Sequence, residues 1–272
     1  MPSITACLVV HNEESLMERC LESLEGVVDE IVLVHDGPCT DRTIEIAEAY
    51  GARAVVADFI GEADPHRPQC YALATCDWII RIDADEFLSE GLRAGIRELV
   101  ATEGVDAWEV IWPVWSESKG RYITENGPRK RVLTRRALSM RSGLIGDATH
   151  VRGTVAQTDL VLEHRPRYDF RLRVVLPKWR RWARVHARQY LMEWSEIPQF
   201  GYPADTQWPA RRVWGNRLSP LLIIPYGVLE FVAHLRKLQE MRPRWQVLRI
   251  SAMWGVYAML VQLYVVKYRY LK

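Results

Sequence analysis

Residues Ile4 to Val10 form an unbroken apolar, β-branched run. Leu16, Met17, Cys20, Leu21 and Leu24 then recur at the three- and four-residue spacing of a single helix face. This pattern predicts a strand followed by a helix, and it repeats. Glu30 to His35 reads as a strand, Asp41 to Tyr50 as a helix closed by Gly51, and Arg53 to Ala57 and Trp78 to Ile82 as further strands. Short apolar strands alternating with helices predict a mainly parallel sheet buried between helical layers. Such sheets bind ligands beyond the carboxyl ends of their strands, so those loops carry the candidate chemistry.

The pattern changes further along. Ser89 to Ala101 reads as a helix with Ser89 as its N-cap, after which Trp108, Val110, Trp112 and Val114 alternate strictly and Arg131 to Thr134 forms another strand. The later part of the sheet is therefore expected to be mixed or antiparallel. From about Tyr168 the chain becomes helical and basic, is interrupted by a Pro- and Trp-rich stretch over residues 198–209, and ends in two apolar helices. The expected division is an α/β domain over residues 1–167 and a basic, Trp-rich helical region over residues 168–272.

Charge sharpens this division. Residues 1–127 hold 9 Lys or Arg against 25 Asp or Glu, and residues 128–272 hold 27 against 9, so a net charge of +2 conceals an acidic front and a basic rear. Seven of the eleven Trp lie in the basic part, and Arg and Lys beside Trp, Tyr and Leu suit a lipid interface better than nucleic acid. Residues 250–266 are 17 uncharged positions between Arg249 and Lys267, the lower limit for a spanning helix. The run from Leu218 to Leu235 is interrupted by Pro220, Pro225, Glu230 and His234 and suits an in-plane segment. Peripheral or monotopic attachment is the expectation, with buried helices of a soluble oligomer or a single membrane span as the alternatives. The five Cys are odd in number and form no C-x-x-C pair, which predicts neither a disulfide nor a zinc framework. No basic stretch leads into an apolar run at Met1, so the α/β part is expected on the cytoplasmic side of the cell membrane.

At the strand ends, Trp78 to Ile82 runs into Asp83, Ala84, Asp85 and Glu86. Residues i and i+2 of an extended segment share a face, so Asp83 and Asp85 are expected to project together and to need a cation between them. Mn²⁺ or Mg²⁺ accompanied by phosphate oxygens meets that need. His11, Asn12 and Glu13 follow the first strand, and Asp36, Gly37 and Asp41 follow the second. Asp41 is expected to cap the next helix, whereas Asp36 has no evident structural task.

These residues together resemble family 2 glycosyltransferases, which have the GT-A fold. The resemblance covers roughly the first 100 residues, through Asn12–Glu13, Asp36–Gly37 with Asp41 and Thr43, Tyr71–Ala72–Leu73 with Asp77–Trp78, and the Asp83–Glu86 motif. It implies an inverting, metal-dependent enzyme that moves one sugar from a UDP-, GDP- or dTDP-sugar. It further implies that Asp36 contacts the base, that His11 and Glu13 line the nucleotide pocket, and that Asp83, Ala84 and Asp85 serve ribose, diphosphate and metal, with Arg67 near the phosphates. Asp147 is the candidate base, with Glu125 and Glu163 as alternatives. His150, or alternatively His164, is a candidate further metal ligand. The basic apolar tail suggests a lipid-linked acceptor, although a glycan is also possible. A polyprenyl-phosphate acceptor and a non-catalytic membrane-binding protein are the competing readings.

Overall fold

The computed structural model describes residues 1–124, 127–169, 171–208, 218–239 and 241–271. The predicted alternation is realised as β1 (Ile4–Val10), α1 (Glu14–Leu24), β2 (Glu30–Asp36), α2 (Thr43–Ala49), β3 (Arg53–Ala57), α3 (Arg67–Leu73) and β4 (Trp78–Arg81). β1 pairs in parallel with β2 and β4, and β2 with β3. Every residue of β1 is buried, which accounts for a continuous rather than alternating apolar run. Beyond β4 the directions mix. β9 (Arg129–Arg135) runs antiparallel to β4 and to β6 (Ala107–Ile111), β12 (Val155–His164) parallel to β6, and β5 (Glu86–Leu88) antiparallel to β12. The eight strands take the order β3-β2-β1-β4-β9-β6-β12-β5, the expected mixed, mainly parallel sheet.

Local sequence explains the boundaries. Ser89 caps α4 (Glu90–Ala101), its hydroxyl accepting the Leu92 N–H at 3.2 Å. Asp41 accepts the N–H groups of Thr43 and Glu14 at 2.9 and 3.1 Å, tying together the starts of α2 and α1. β6 stops at Ile111 although the alternation continues to Val114, because Pro113 has no N–H to give the ladder. A hairpin of β7 (Trp115–Ser116) and β8 (Arg121–Tyr122) follows, and β10 (Ser139–Ser142), β11 (His150–Val151) and β13 (Gln199–Phe200) form a small separate sheet.

Among the described residues of the rear, three long helices stand out: α5 (Leu172–Leu191), α6 (Ser219–Lys237) and α7 (Arg244–Tyr270). Val175, Trp179, Ala183 and Ala187 of α5 pack against Met253, Tyr257, Val261 and Val265 of α7, each set at intervals of four residues. α6 crosses α7 where a Cβ on Gly255 would lie 2.8 Å from the Gly227 carbonyl oxygen, so the close approach requires glycine. α7, about 40 Å long at 1.5 Å per residue, is long and apolar enough to cross a membrane, yet 44% of its apolar window is buried inside the protein. The outer face of α6 shows Leu221, Ile224, Val228 and Leu229 to solvent.

Candidate active site

The loops after β1 and β2 are stitched to each other. Asn12 adopts a left-handed conformation (φ 52°), accepts the Thr40 N–H at 2.8 Å on its side chain and donates its own N–H to His35 Nε2 at 3.1 Å. His35 therefore carries its proton on Nδ1 and donates to the Gly37 carbonyl at 2.7 Å. His11 Nδ1 likewise donates to the Asp36 carbonyl at 2.6 Å. Gly37 is obligatory here, since at φ 84° a Cβ would lie 2.7 Å from that of Phe59.

Asp36 is buried and does have a structural task. Its Oδ1 accepts the Ile60 N–H at 2.6 Å and His66 Nε2 at 2.9 Å, and its Oδ2 accepts the Gly61 N–H at 2.7 Å. Burial works to raise its pKa, but these donors hold the carboxyl below its ordinary value. The hydrogen bonds also fold residues 60–66 over the sheet edge. Between that loop and the β1 end lies a cleft of about 540 Å³ counted out to open solvent, lined by His11, Glu13, Asp36, Phe59 and Glu62 and, from the helical region, by Lys178, Arg181 and Trp182. The Arg181 side chain rests against Gly61, 3.3 Å from where a Cβ would sit. Burial, then the charge of Asp85, raises the pKa of Glu13, and Lys178 and Arg167 moderate the effect. Burial, then Asp64, pushes Glu62 up to about 8. Its Oε2 is buried without a hydrogen-bond partner among the described residues.

The two aspartates of the motif part company. Arg67, buried rather than on the surface, donates from Nε to Asp64 at 3.0 Å and from Nη2 to Asp83 at 2.6 Å. Lys130 of β9 reaches Asp83 at 3.5 Å and pairs with Glu86. Glu86 has no exposed surface and also accepts the Trp112 indole N–H at 2.6 Å and the Asp83 N–H at 3.0 Å. Burial alone would raise the pKa of Asp83, but Arg67, Lys130 and Arg81 hold it well below the usual range. Asp85 instead faces His164, with Nε2 and Oδ2 3.5 Å apart, because β12 and β5 set His164 opposite Glu86. The His164 ring stacks on Trp112 at 4.1 Å, and its Nδ1 is buried without a partner among the described residues. Ala84 is buried between the two carboxylates.

Among the described residues no group of three or more His, Cys, Asp or Glu is gathered for a metal ion. A hard cation arriving with a diphosphate needs only one or two carboxylates, with phosphate and water supplying the rest. Asp85, with a quarter of its side chain exposed and His164 beside it, fits that requirement. Asp83 is already committed to Arg67 and Lys130.

Asp147 lies elsewhere in the same polar system. Its carboxylate accepts from the Ser142 hydroxyl and meets His150 Nε2 at 3.1 Å. Burial raises its pKa, but the hydrogen bonds from His150 and Ser142 more than offset this, and the His150 pKa is raised in turn by Asp147. His150 thus partners Asp147 and has no contact with Asp83 or Asp85; the histidine at Asp85 is His164. Fully buried Arg141 joins the two regions, bonding to the Asp147 carbonyl and to Asp64, which itself holds Arg67. Glu163 pairs with the Tyr122 hydroxyl, and Glu125 lies outside the described residues. Sequence reasoning missed Asp64, Lys130 and Arg141, and read Lys178 and Arg181 only as part of the basic, lipid-facing rear. Only Asp64 and Arg67, spaced i and i+3, carried a local signal.

A mixed sheet whose carboxyl edge holds an Asp-Ala-Asp-Glu turn beside a cleft is the GT-A arrangement. Residues 5–149 match the profile of glycosyl transferase family 2, and the chain belongs to that family. It is similar to an uncharacterized glycosyltransferase of Rickettsia bellii, 36% identical over 107 residues, which are 39% of this chain and 35% of that one. It is also similar to the lipopolysaccharide core biosynthesis glycosyltransferase LpsC of Rhizobium meliloti, 34% identical over 137 residues, which are 48% and 49% of the two chains. The chain thus spans a third to a half of the length of these relatives. Among solved structures it resembles mannosyl-3-phosphoglycerate synthase from Rubrobacter xylanophilus (TM-score 0.47, 15% identity, 77% and 78% of the chains covered). It also resembles glucosyl-3-phosphoglycerate synthase from Mycobacterium tuberculosis in complex with Mn²⁺, UDP and glucosyl-3-phosphoglycerate (TM-score 0.44, 17% identity, 78% and 92% covered).

Proposed function

We propose that the chain transfers a single sugar, with inversion, from a nucleoside-diphosphate sugar to the hydroxyl of a lipid-linked acceptor at the cytoplasmic face of a membrane. One observation carries this reading. The cleft is walled by the loops after β1 and β2, and its Glu13 feels the charge of Asp85, in a turn where Asp83 is braced by Arg67 and Lys130 while Asp85 stays available. In this reading His11, Glu13 and Asp36 form the nucleotide wall, and Lys178 and Arg181 face the diphosphate from α5. Asp85, with His164 beside it, would hold the Mn²⁺ or Mg²⁺ that neutralises the leaving diphosphate. The acceptor oxygen forms its bond to the anomeric carbon as the bond to the diphosphate oxygen breaks. The hydroxyl proton passes to the Asp147–His150 pair. The outward apolar stripe of α6, the basic α5 and the name of LpsC support a membrane-borne acceptor.

A thermal-shift screen of nucleoside diphosphates and their sugars, with and without Mn²⁺, tests the donor half. A ligand at 100 times its Kd adds about 2.7 kcal/mol, and a chain that no nucleotide stabilises would refute it. For the acceptor half, Asp147→Asn should retain donor binding and lose transfer to extracted glycolipid, while undiminished transfer would remove Asp147 from the mechanism.

A further inference from the structure

A second pocket shares no residue with the donor cleft. It lies between the β7–β8 hairpin, the segment before α5 and the first turns of α7, and encloses about 400 Å³ counted out to solvent. Its charged lining is Lys119, Arg171, Arg249 and a single carboxylate, Asp169, and the indoles of Trp115 and Trp245 flank it. Asp169 is fully engaged. It pairs with Arg171 at 2.9 Å and accepts the Ser116 hydroxyl at 2.9 Å and the Ser118 N–H at 3.2 Å, donors that hold its pKa down to about 2. The other nearby acid, Glu117, accepts the Trp115 indole N–H at 2.8 Å.

Among the described residues neither Lys119 nor Arg249 forms an ion pair, although Arg249 feels the charge of Asp169 across the pocket. The Nε of Arg249 is buried with no hydrogen-bond acceptor, and its guanidinium lies 5.7 Å from the Trp245 ring. Burial, then the charge of Arg171, lowers the Arg249 pKa and Asp169 offsets this only in part, so the two guanidinium groups repel across the pocket. α7 begins here with no side-chain cap, which adds the positive end of a 27-residue helix. An excess of positive charge, with an unsatisfied buried donor inside it, calls for an anion. Arginine forks and indoles together favour a phosphate at lipid-headgroup depth. Trp245 and Leu248, each about half exposed, lie at the same end of α7.

From these observations we infer that this pocket binds a phosphate ester, that of a membrane lipid or of the acceptor itself. Its position bears on the reaction. Arg165 stacks on Trp115 at 4.8 Å and donates its backbone N–H to the Asp85 carbonyl at 2.8 Å, so one residue links the pocket wall to the metal-binding turn. The anion site stands without the donor reading, whereas its use in presenting an acceptor rests on that reading.

Hydrogen exchange read by mass spectrometry on the full chain tests the inference, because peptides covering residues 115–123 and 244–250 report this pocket and those covering residues 36–61 report the donor cleft. The probes are inorganic phosphate, phosphatidylglycerol vesicles and phosphatidylcholine vesicles. Protection of the two pocket peptides by inorganic phosphate identifies a soluble phosphate ester as sufficient. Protection by phosphatidylglycerol vesicles alone identifies a lipid headgroup. In either case Lys119→Gln and Arg249→Gln should each weaken binding about tenfold, and Arg249→Lys should retain part of it. Lys119 is exposed, so its replacement leaves folding intact. Absence of protection with every probe, protection equal for the two kinds of vesicle, or protection unchanged in both Gln variants would overturn the inference. In a separate arm with added nucleoside diphosphate, absence of protection at residues 36–61 would count against the donor reading alone.

Discussion

Glu62 is the most direct handle on the cleft, because its ionisation is set by the same loop and helix that enclose the proposed donor site. Its pKa rises from 4.5 to about 8, first through burial and then through Asp64, with Lys178 opposing. The folded chain therefore keeps a proton that the unfolded chain has already released, and stability falls as pH rises through the window from 4.5 to about 8. At about 1.4 kcal/mol per pH unit, the loss across the window is at most on the order of 5 kcal/mol. Glu62→Gln keeps the shape and cannot ionise. Between about pH 5 and about pH 9, the Tm of the parent chain should fall several degrees further than that of the variant, at about 2–4 °C per kcal/mol for a chain of this size. Differencing the two curves removes Glu13, whose raised pKa acts in both. Nucleoside diphosphate binding should follow, weakening above pH 8 in the parent as a carboxylate forms beside the ligand, and staying flatter in the variant. Melting curves that run parallel in pH would refute both the burial argument and the placement of α5 over the loop.

Asp83→Asn should lower stability by about 1–3 kcal/mol in urea titrations, since it takes a charge partner from buried Arg67. Asp85→Asn should stay within about 0.5 kcal/mol of the parent while abolishing any tightening of nucleotide binding by Mn²⁺. Lys178→Gln and Arg181→Gln should each weaken nucleoside diphosphate binding about tenfold and leave the bare nucleoside unaffected in calorimetry; equal losses for both ligands would mean that α5 does not face the phosphates. Replacing Leu221, Ile224 and Leu229 together by Ser, all on exposed positions of α6, should keep the fold and reduce vesicle co-sedimentation more than tenfold, given about 1.5–3 kcal/mol per buried apolar side chain.

Strands β1, β2 and β4 were legible because each apolar run is short and enclosed on both faces, and the Ser89 and Asp41 caps because a cap is a local hydrogen bond. What could not be read was the content of contacts distant in sequence. Lys130 meets Asp83 only because β9 inserts beside β4, and His164 meets Asp85 only because β5 folds back on β12. Neither pairing leaves a periodic trace. Asp36 looked free for a ligand because its partners Ile60 and Gly61 donate backbone N–H groups, which no side-chain pattern reveals.

The opposed charges of the two halves acquire a specific meaning at the cleft. An acidic front beside a basic rear suggested a lipid surface, yet Glu13 and Glu62 from the front meet Lys178 and Arg181 of α5 at the mouth of the cleft proposed to bind the nucleotide. Without α5 that mouth would present carboxylates to a ligand carrying a diphosphate, and like charges at such separation repel strongly where water is partly excluded. The helix supplies the missing sign. Its opposite side is held by the every-fourth-residue packing of Val175, Trp179, Ala183 and Ala187 against α7, so the two cations stand on a braced element rather than a loop. α7 in turn packs on α6, whose apolar stripe faces outward, so packed helices connect that stripe to the wall that carries Lys178 and Arg181. In this architecture the proposed membrane attachment and donor binding share one rigid part, and salt should weaken nucleotide affinity and vesicle binding through separate sets of charges, the cleft pair on α5 for the first and the pocket at the start of α7 for the second.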